Sequence, residues 1–225
     1  MQSEVTETAG DLERQTLIAL QALVHQLNRA LDAVVYGDRQ LADGVVASSR
    51  ERTWECQRVQ EGVMSALGRH PSPDELQALA ALLHIARGAG RLSEHCKKIA
   101  MIVPRVPDAQ RGPIFCDLVD PAARVAVSAV WLAKQSFATR DIELAHEVVR
   151  ADAQLKRQSQ EIYRAALAAD RLSASSMAAF LAASYLERIG DIAVDLAEQT
   201  VIVVAGHIPH DVSDVTTPRR TAVGL

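Results

Sequence analysis

Apolar residues recur every three or four positions along most of the chain, a spacing that places them on one face of an α-helix. No stretch of useful length alternates apolar and polar residues in the manner of a β-strand. The pattern therefore predicts an all-α protein. In the first segment the helical spacing is followed by Leu17, Leu20, Val24, Leu27, Leu31 and Val34.

Prolines and glycines divide this pattern into segments. Long proline-free stretches are further interrupted at Gly37, at 139–141 and at 169–173. Each resulting segment has some thirty residues, which corresponds to a helix of about 45 Å. The six predicted helices span residues 8–36, 39–68, 73–103, 118–138, 141–168 and 173–205.

The two halves of the chain resemble each other. Residues 38–46 and 141–149 share Asp, Leu, Ala, Val and Val at matching positions, and residues 91–100 parallel 188–197. An internal repeat of three helices predicts two tandem three-helix bundles. The predicted division is a first bundle over 1–104, a connector over 105–120, a second bundle over 121–205 and a flexible tail over 206–225.

Acidic residues form a stripe on the last predicted helix. Glu187, Asp191, Asp195 and Glu198 are spaced four, four and three apart, so they lie within an arc of about 80°, roughly opposite the apolar face. Like charges at this spacing repel. Only Arg188 is a nearby basic residue in the sequence, so the stripe is expected to lack counter-charges. A solvated helix face is one interpretation, and a bound cation is the other.

Asp152 is a second candidate ligand. It lies on the same arc of the fifth helix as apolar residues, facing inward. A buried carboxylate needs a partner because an isolated buried charge is costly. The partner is either a hydroxyl or arginine of a neighbouring helix, or a metal ion bound by carboxylates from several helices.

Several of these residues resemble the PhoU family of phosphate-signalling regulators. The resemblance rests on Glu187-Arg188-Ile189-Gly190-Asp191 with Asp195 one turn on, and on the paired Asp-x-x-Leu-Ala blocks at Asp38 and Asp141. It covers about residues 8–205. The resemblance implies a cytoplasmic adaptor that is not an enzyme and that damps the phosphate-starvation response. Its implied partners are the ATPase subunit of the phosphate ABC transporter and a sensor histidine kinase, and a homodimer is expected.

The resemblance also implies a metal site, because some family members carry iron or zinc clusters on the acidic stripe of each bundle. In this chain the implied ligands are Glu187, Asp191, Asp195 and Asp152. Lys156 stands where the family often has another acid. The first bundle departs further, because the positions that match the four ligands hold Gly90, Glu94, Lys98 and Ser49.

A full metal site is therefore not expected in the first bundle. His84, His95 and Cys96 do not restore one with Glu94, because adjacent residues on a helix point about 100° apart. In the second bundle the metal could be iron, zinc or another divalent cation.

Composition excludes some functions. The net charge of −4 argues against a nucleic-acid-binding protein. No run approaches the ~20 apolar residues of a membrane span, and the first residues lack the apolar core of a secretory signal. Membrane contact is therefore expected only through partners.

The three cysteines are widely spaced and predict free thiols packed as small apolar groups.

Two other functions stay open. One is a metal-free scaffold whose acids bind a basic patch on a partner. The other is a carboxylate-bridged metal enzyme or metal store, which needs Glu-x-x-His pairs on two helices, whereas Glu143 and His146 form a single pair of this kind. No nucleotide-binding loop and no nucleophile motif of the Gly-x-Ser-x-Gly type is present. The sequence thus predicts that the chain is not an enzyme.

Overall fold

The computed structural model describes residues 8–107, 112–168 and 173–205. Within these ranges the chain forms six long α-helices and no strand, which confirms the predicted fold class. The helices are α1 (Ala9–Tyr36), α2 (Arg39–Leu67), α3 (Pro73–Ala100), α4 (Asp120–Thr139), α5 (Ile142–Leu167) and α6 (Ala174–Ala205).

Side-chain caps begin most of these helices. Thr8 and Ser72 each form a capping box with the acid three residues later, and Asp38 and Asp141 accept backbone N–H groups at the starts of α2 and α5. The repeat noticed in the sequence at Asp38 and Asp141 is therefore a repeated capping position. Gly37 ends α1 with φ 77°, a left-handed conformation that favours glycine.

The connector contains more structure than the sequence predicts. The helix α3 ends at Ala100 rather than near 103, and a short 3₁₀ turn follows at Val103–Arg105. A π-helical turn at Phe115–Val119 leads directly into α4 and buries Phe115. Burial of this aromatic ring holds the turn before α4 against the core. The predicted tail, 206–225, lies outside the described residues.

The helices α1, α2 and α3 pack together as one group, and α4, α5 and α6 pack together as another, in agreement with the repeat. The two groups meet where α3 contacts α6 and α1 contacts α4. Small residues allow the α3–α6 contact. A Cβ added at Gly88 of α3 would lie 3.2 Å from Leu196 Cδ2 of α6. Cys56 and Cys96 are buried in the core as expected, whereas Cys116 is exposed. The residue bounds of the two bundles, 1–104 and 121–205, remain a prediction.

Loss of the repeated caps is expected to destabilise both bundles. Asp38→Ala and Asp141→Ala should each lower the free energy of unfolding by about 1 kcal/mol, because backbone N–H groups of the first turn lose their acceptor. Asp43→Ala, an exposed acid of α2 without a capping bond, is the matched control and should change it by less than about 0.5 kcal/mol. Urea denaturation followed by circular dichroism measures all three; equal effects would contradict the capping role.

Candidate charged site between the fifth and sixth helices

Asp152 lies at a close contact between α5 and α6. Its side chain is buried and faces Gly190 of α6, where an added Cβ would lie only 2.5 Å from Asp152 Oδ1 and 3.1 Å from Leu155 Cδ2. Glycine at 190 therefore makes the space that the carboxylate occupies. Asp152 Oδ1 has no hydrogen-bond partner among the described protein groups.

The other carboxylate oxygen of Asp152 has a cationic partner. Lys156, one turn along α5, places its ammonium 2.8 Å from Asp152 Oδ2 and 3.2 Å from Asp191 Oδ1 of α6. The hydrogen bond to Asp152 is the main reason why the pKa of Lys156 is raised above its ordinary value, and Asp191 adds to it. Lys156 thus joins two of the four predicted ligands through its own positive charge.

Glu187 has a different partner. The Tyr163 hydroxyl of α5 donates a hydrogen bond of 2.9 Å to Glu187 Oε2. Burial, followed by this bond to a carboxylate, raises the pKa of Tyr163 to about 12, so the phenol stays protonated at neutral pH. Glu187 and Asp191 also line one shallow groove with Lys156.

Asp195 points to the other bundle. Its Oδ2 lies 2.7 Å from a guanidinium nitrogen of Arg91 in α3, and both side chains are more than half exposed. An exposed pair of this kind contributes little stability. It nevertheless places a cation from the first bundle beside the acidic stripe of the second.

The expectation that the stripe lacks counter-charges is wrong. Lys156 and Arg91 come from α5 and α3, so neither is visible in the sequence next to the acids. Lys156 could have been found, because it follows Asp152 by four residues, a spacing at which opposite charges meet on a helix. Arg91 could not, because its position depends on how the two bundles pack.

A metal ion fits these residues poorly. In the part of the chain that the structure describes, no three or more His, Cys, Asp or Glu side chains come together in a way that could hold one. The ammonium of Lys156 lies between Asp152 and Asp191, and a divalent cation there would meet like-charge repulsion. Binding of iron, zinc or another cation by Glu187, Asp191, Asp195 and Asp152 stays a prediction that the geometry does not favour.

The equivalent place in the first bundle is built from neutral residues. Ser49 and Ser93 match Asp152 and Gly190, and both are fully buried. The Ser93 hydroxyl lies 3.3 Å from the Ser49 carbonyl oxygen and 3.4 Å from Gln26 Oε1, and it can donate a hydrogen bond to either oxygen. The first bundle therefore fills this position without a buried charge.

Comparison with known proteins decides the family. The PhoU domain model matches residues 18–103 and again residues 120–200. The chain belongs to the PhoU family. The double match coincides with the two groups of three helices, and PhoU-family proteins are regulatory accessory proteins rather than enzymes, which confirms the prediction of a non-catalytic chain.

Individual PhoU-family relatives resemble the chain over most of its length. A phosphate-specific transport system accessory protein PhoU homolog from Burkholderia sp is 28% identical over 188 residues, covering 80% of each chain. The crystal structure of PhoU from Pseudomonas aeruginosa has a TM-score of 0.81 at 22% identity and covers 88% of this chain and 97% of that one.

A second solved structure shares the fold. The phosphate transport system regulatory protein PhoU from Streptococcus pneumoniae superposes with a TM-score of 0.83 at 16% identity, covering 90% of this chain and 98% of that one. At such identities the likeness shows the fold alone. Of the helices that the structure describes, none has the length and apolar character needed to cross a bilayer.

The contact of Gly190 with Asp152 predicts an energetic coupling. Gly190→Ala should be more destabilising in the wild-type background than in an Asp152→Ser background, by about 1 kcal/mol, because the added methyl group clashes with the carboxylate. Urea denaturation of the four proteins gives the coupling energy. Gly90→Ala of α3 is the control, since its Cβ would meet only Cys56 Cβ at 3.9 Å. A coupling energy near zero would refute the close contact.

Lys156 is expected to exclude metal from this PhoU-family site. Wild-type protein purified without chelator should hold far less than one iron or zinc per chain, whereas Lys156→Glu should raise the metal content by replacing the ammonium with a carboxylate. Elemental analysis after dialysis measures both. Arg150→Glu, on an exposed part of α5, is the charge-matched control. Stoichiometric metal in the wild type that a Glu187→Ala, Asp191→Ala double variant loses would show instead that the original ligand prediction is correct.

Proposed function

We propose that this chain is a cytoplasmic regulator of phosphate uptake and of the phosphate-starvation response. The observation that carries the proposal is the match of the PhoU domain to both bundles, together with the Burkholderia relative that bears the name of a phosphate-specific transport system accessory protein. The regulator acts as an adaptor between the ATPase subunit of a phosphate ABC transporter and a sensor histidine kinase.

The described structure supports an adaptor through its surface. Six long helices offer extended faces, and several large apolar side chains are exposed on them, including Ile18 at 64% and Trp54 at 55%. Apolar side chains exposed on a regulatory protein are candidates for contact with partners. The two residues lie on different helices of the first bundle, α1 and α2.

The adaptor role that we propose requires no metal. Lys156 and Arg91 already supply positive charge to the acidic stripe, which supports the metal-free scaffold over a metal-dependent enzyme. The sequence has a single Glu-x-x-His pair, Glu143 and His146, and these two side chains lie 3.8 Å apart on the same helix. A carboxylate-bridged metal enzyme would need a second such pair.

Deletion and capture experiments test the role. In cells that lack the gene, a reporter of phosphate-starvation genes should be active even in phosphate-rich medium, and the wild-type chain should restore repression. Tagged protein from detergent-solubilised, phosphate-replete cells should recover the transporter ATPase or the histidine kinase, identified by mass spectrometry. An unchanged reporter together with recovery of neither partner would reject the proposal.

A Trp54→Ser variant locates the contact. If the exposed indole binds a partner, this variant should fold normally but recover less of that partner, while Trp131→Ser, an exposed indole of the second bundle, is the matched control. Equal recovery by both variants would place the contact elsewhere.

A further inference from the structure

The first bundle carries a basic groove between α2 and α3. It has a volume of about 690 Å³, within the range of small-molecule sites. One wall is a row of α3 side chains spaced three or four residues apart, and the other is a polar row of α2. The α3 wall consists of His84, Arg87, Arg91, Glu94, His95 and Lys98, and the α2 wall of Thr53, Gln57 and Gln60.

The positive charge of this groove is not balanced. Its lining has three cationic side chains and one carboxylate, Glu94. Arg91 forms an ion pair with Asp195 of the second bundle. Among the described residues, neither Arg87 nor Lys98 forms an ion pair with any carboxylate.

The internal repeat shows how this charge differs between the two bundles. Under the repeat, Arg91 and Asp195 of the ion pair correspond to Arg188 and Lys98, which are both cationic. The positions that form an attractive pair in one copy of the repeat relation therefore hold two like charges in the other. Arg188 also forms no ion pair with a described carboxylate, so its charge adds to that of the groove.

The pKa of His95 is affected by burial and by this positive charge. Burial, followed by the charges of Lys98, Arg188 and Arg91, lowers the pKa of His95 to about 4 against the opposing effect of Glu94. The imidazole is therefore neutral at pH 7. Its Nδ1 and the hydroxyl of Thr53 are buried polar atoms without a hydrogen-bond partner among the described residues. Both belong to residues that line the groove.

We propose that this groove binds an elongated anion that carries several phosphoryl groups. Arg87 and Lys98 are eleven residues apart, or about 16 Å along the helix, so an elongated anion can follow this row of cations whereas a single orthophosphate contacts only part of it. Guanidinium groups pair with phosphate through two parallel hydrogen bonds. The lining contains no aliphatic side chain and no Phe, Tyr or Trp, so it lacks the large apolar anchors that dominate protein–protein contacts. The groove carries this inference by itself, independently of the proposed regulatory role.

Calorimetric titration with tripolyphosphate tests the proposal. The full chain is first dialysed against EDTA, so that binding through a metal is excluded, and is measured at constant salt. We expect one saturable site per chain, with orthophosphate at least about tenfold weaker because it reaches fewer of the cations. A hexa-aspartate peptide, which carries more negative charge than tripolyphosphate, should nevertheless bind more weakly.

Variants locate the site. Arg87→Gln combined with Lys98→Gln should weaken tripolyphosphate binding about tenfold or more. Both side chains are exposed, so the helices are expected to persist, and circular dichroism checks this. Arg39→Gln combined with Arg164→Gln removes the same charge from exposed positions outside the groove and should leave the affinity nearly unchanged.

Three results would overturn the proposal. They are the absence of saturable tripolyphosphate binding to the wild type, equal weakening by the two double variants, and tighter binding of the hexa-aspartate peptide. The last would identify the groove as a contact for an acidic protein segment. The phosphate-reporter experiment does not enter these outcomes, so the groove and the regulatory role can fail separately.

Discussion

The close approach of α3 and α6 is the constraint on which the arrangement of the molecule depends. Helices can pack at the usual 8–10 Å only if the side chains between them are small or interlock. At Gly88 even one added carbon would press on Leu196. The remaining helices are placed by this pair, since α1 and α2 pack on α3 whereas α4 and α5 pack on α6.

The same helical frame supports opposite electrostatics in the two bundles. In the second bundle Gly190 leaves room for the buried carboxylate of Asp152, and Lys156 neutralises it. In the first bundle Ser49 and Ser93 fill the equivalent space, and the outer row of α3 is basic. A repeated backbone therefore does not imply a repeated site, because a few substitutions at matching positions reverse the local charge.

The sequence predicts the fold well and the site only in part. Helical spacing and the internal repeat, whose matching blocks begin at Asp38 and Asp141, can be read from the sequence itself, and both agree with the structure. The inward position of Asp152 follows from the same periodicity. The partners of Glu187 and Asp195 do not, because Tyr163 and Arg91 reach them from other helices and a single sequence does not specify how those helices are aligned.

The ion pair between Arg91 and Asp195 has a consequence for communication within the molecule. One guanidinium belongs both to the wall of the basic groove and to the acidic stripe of the opposite bundle. Whatever draws Arg91 toward the groove leaves Asp195 more negative toward its surroundings, and whatever neutralises Asp195 releases Arg91. By thermodynamic reciprocity, an anion bound in the groove and a cationic group bound to the stripe would each change the affinity for the other through this shared charge, without any movement of the helices.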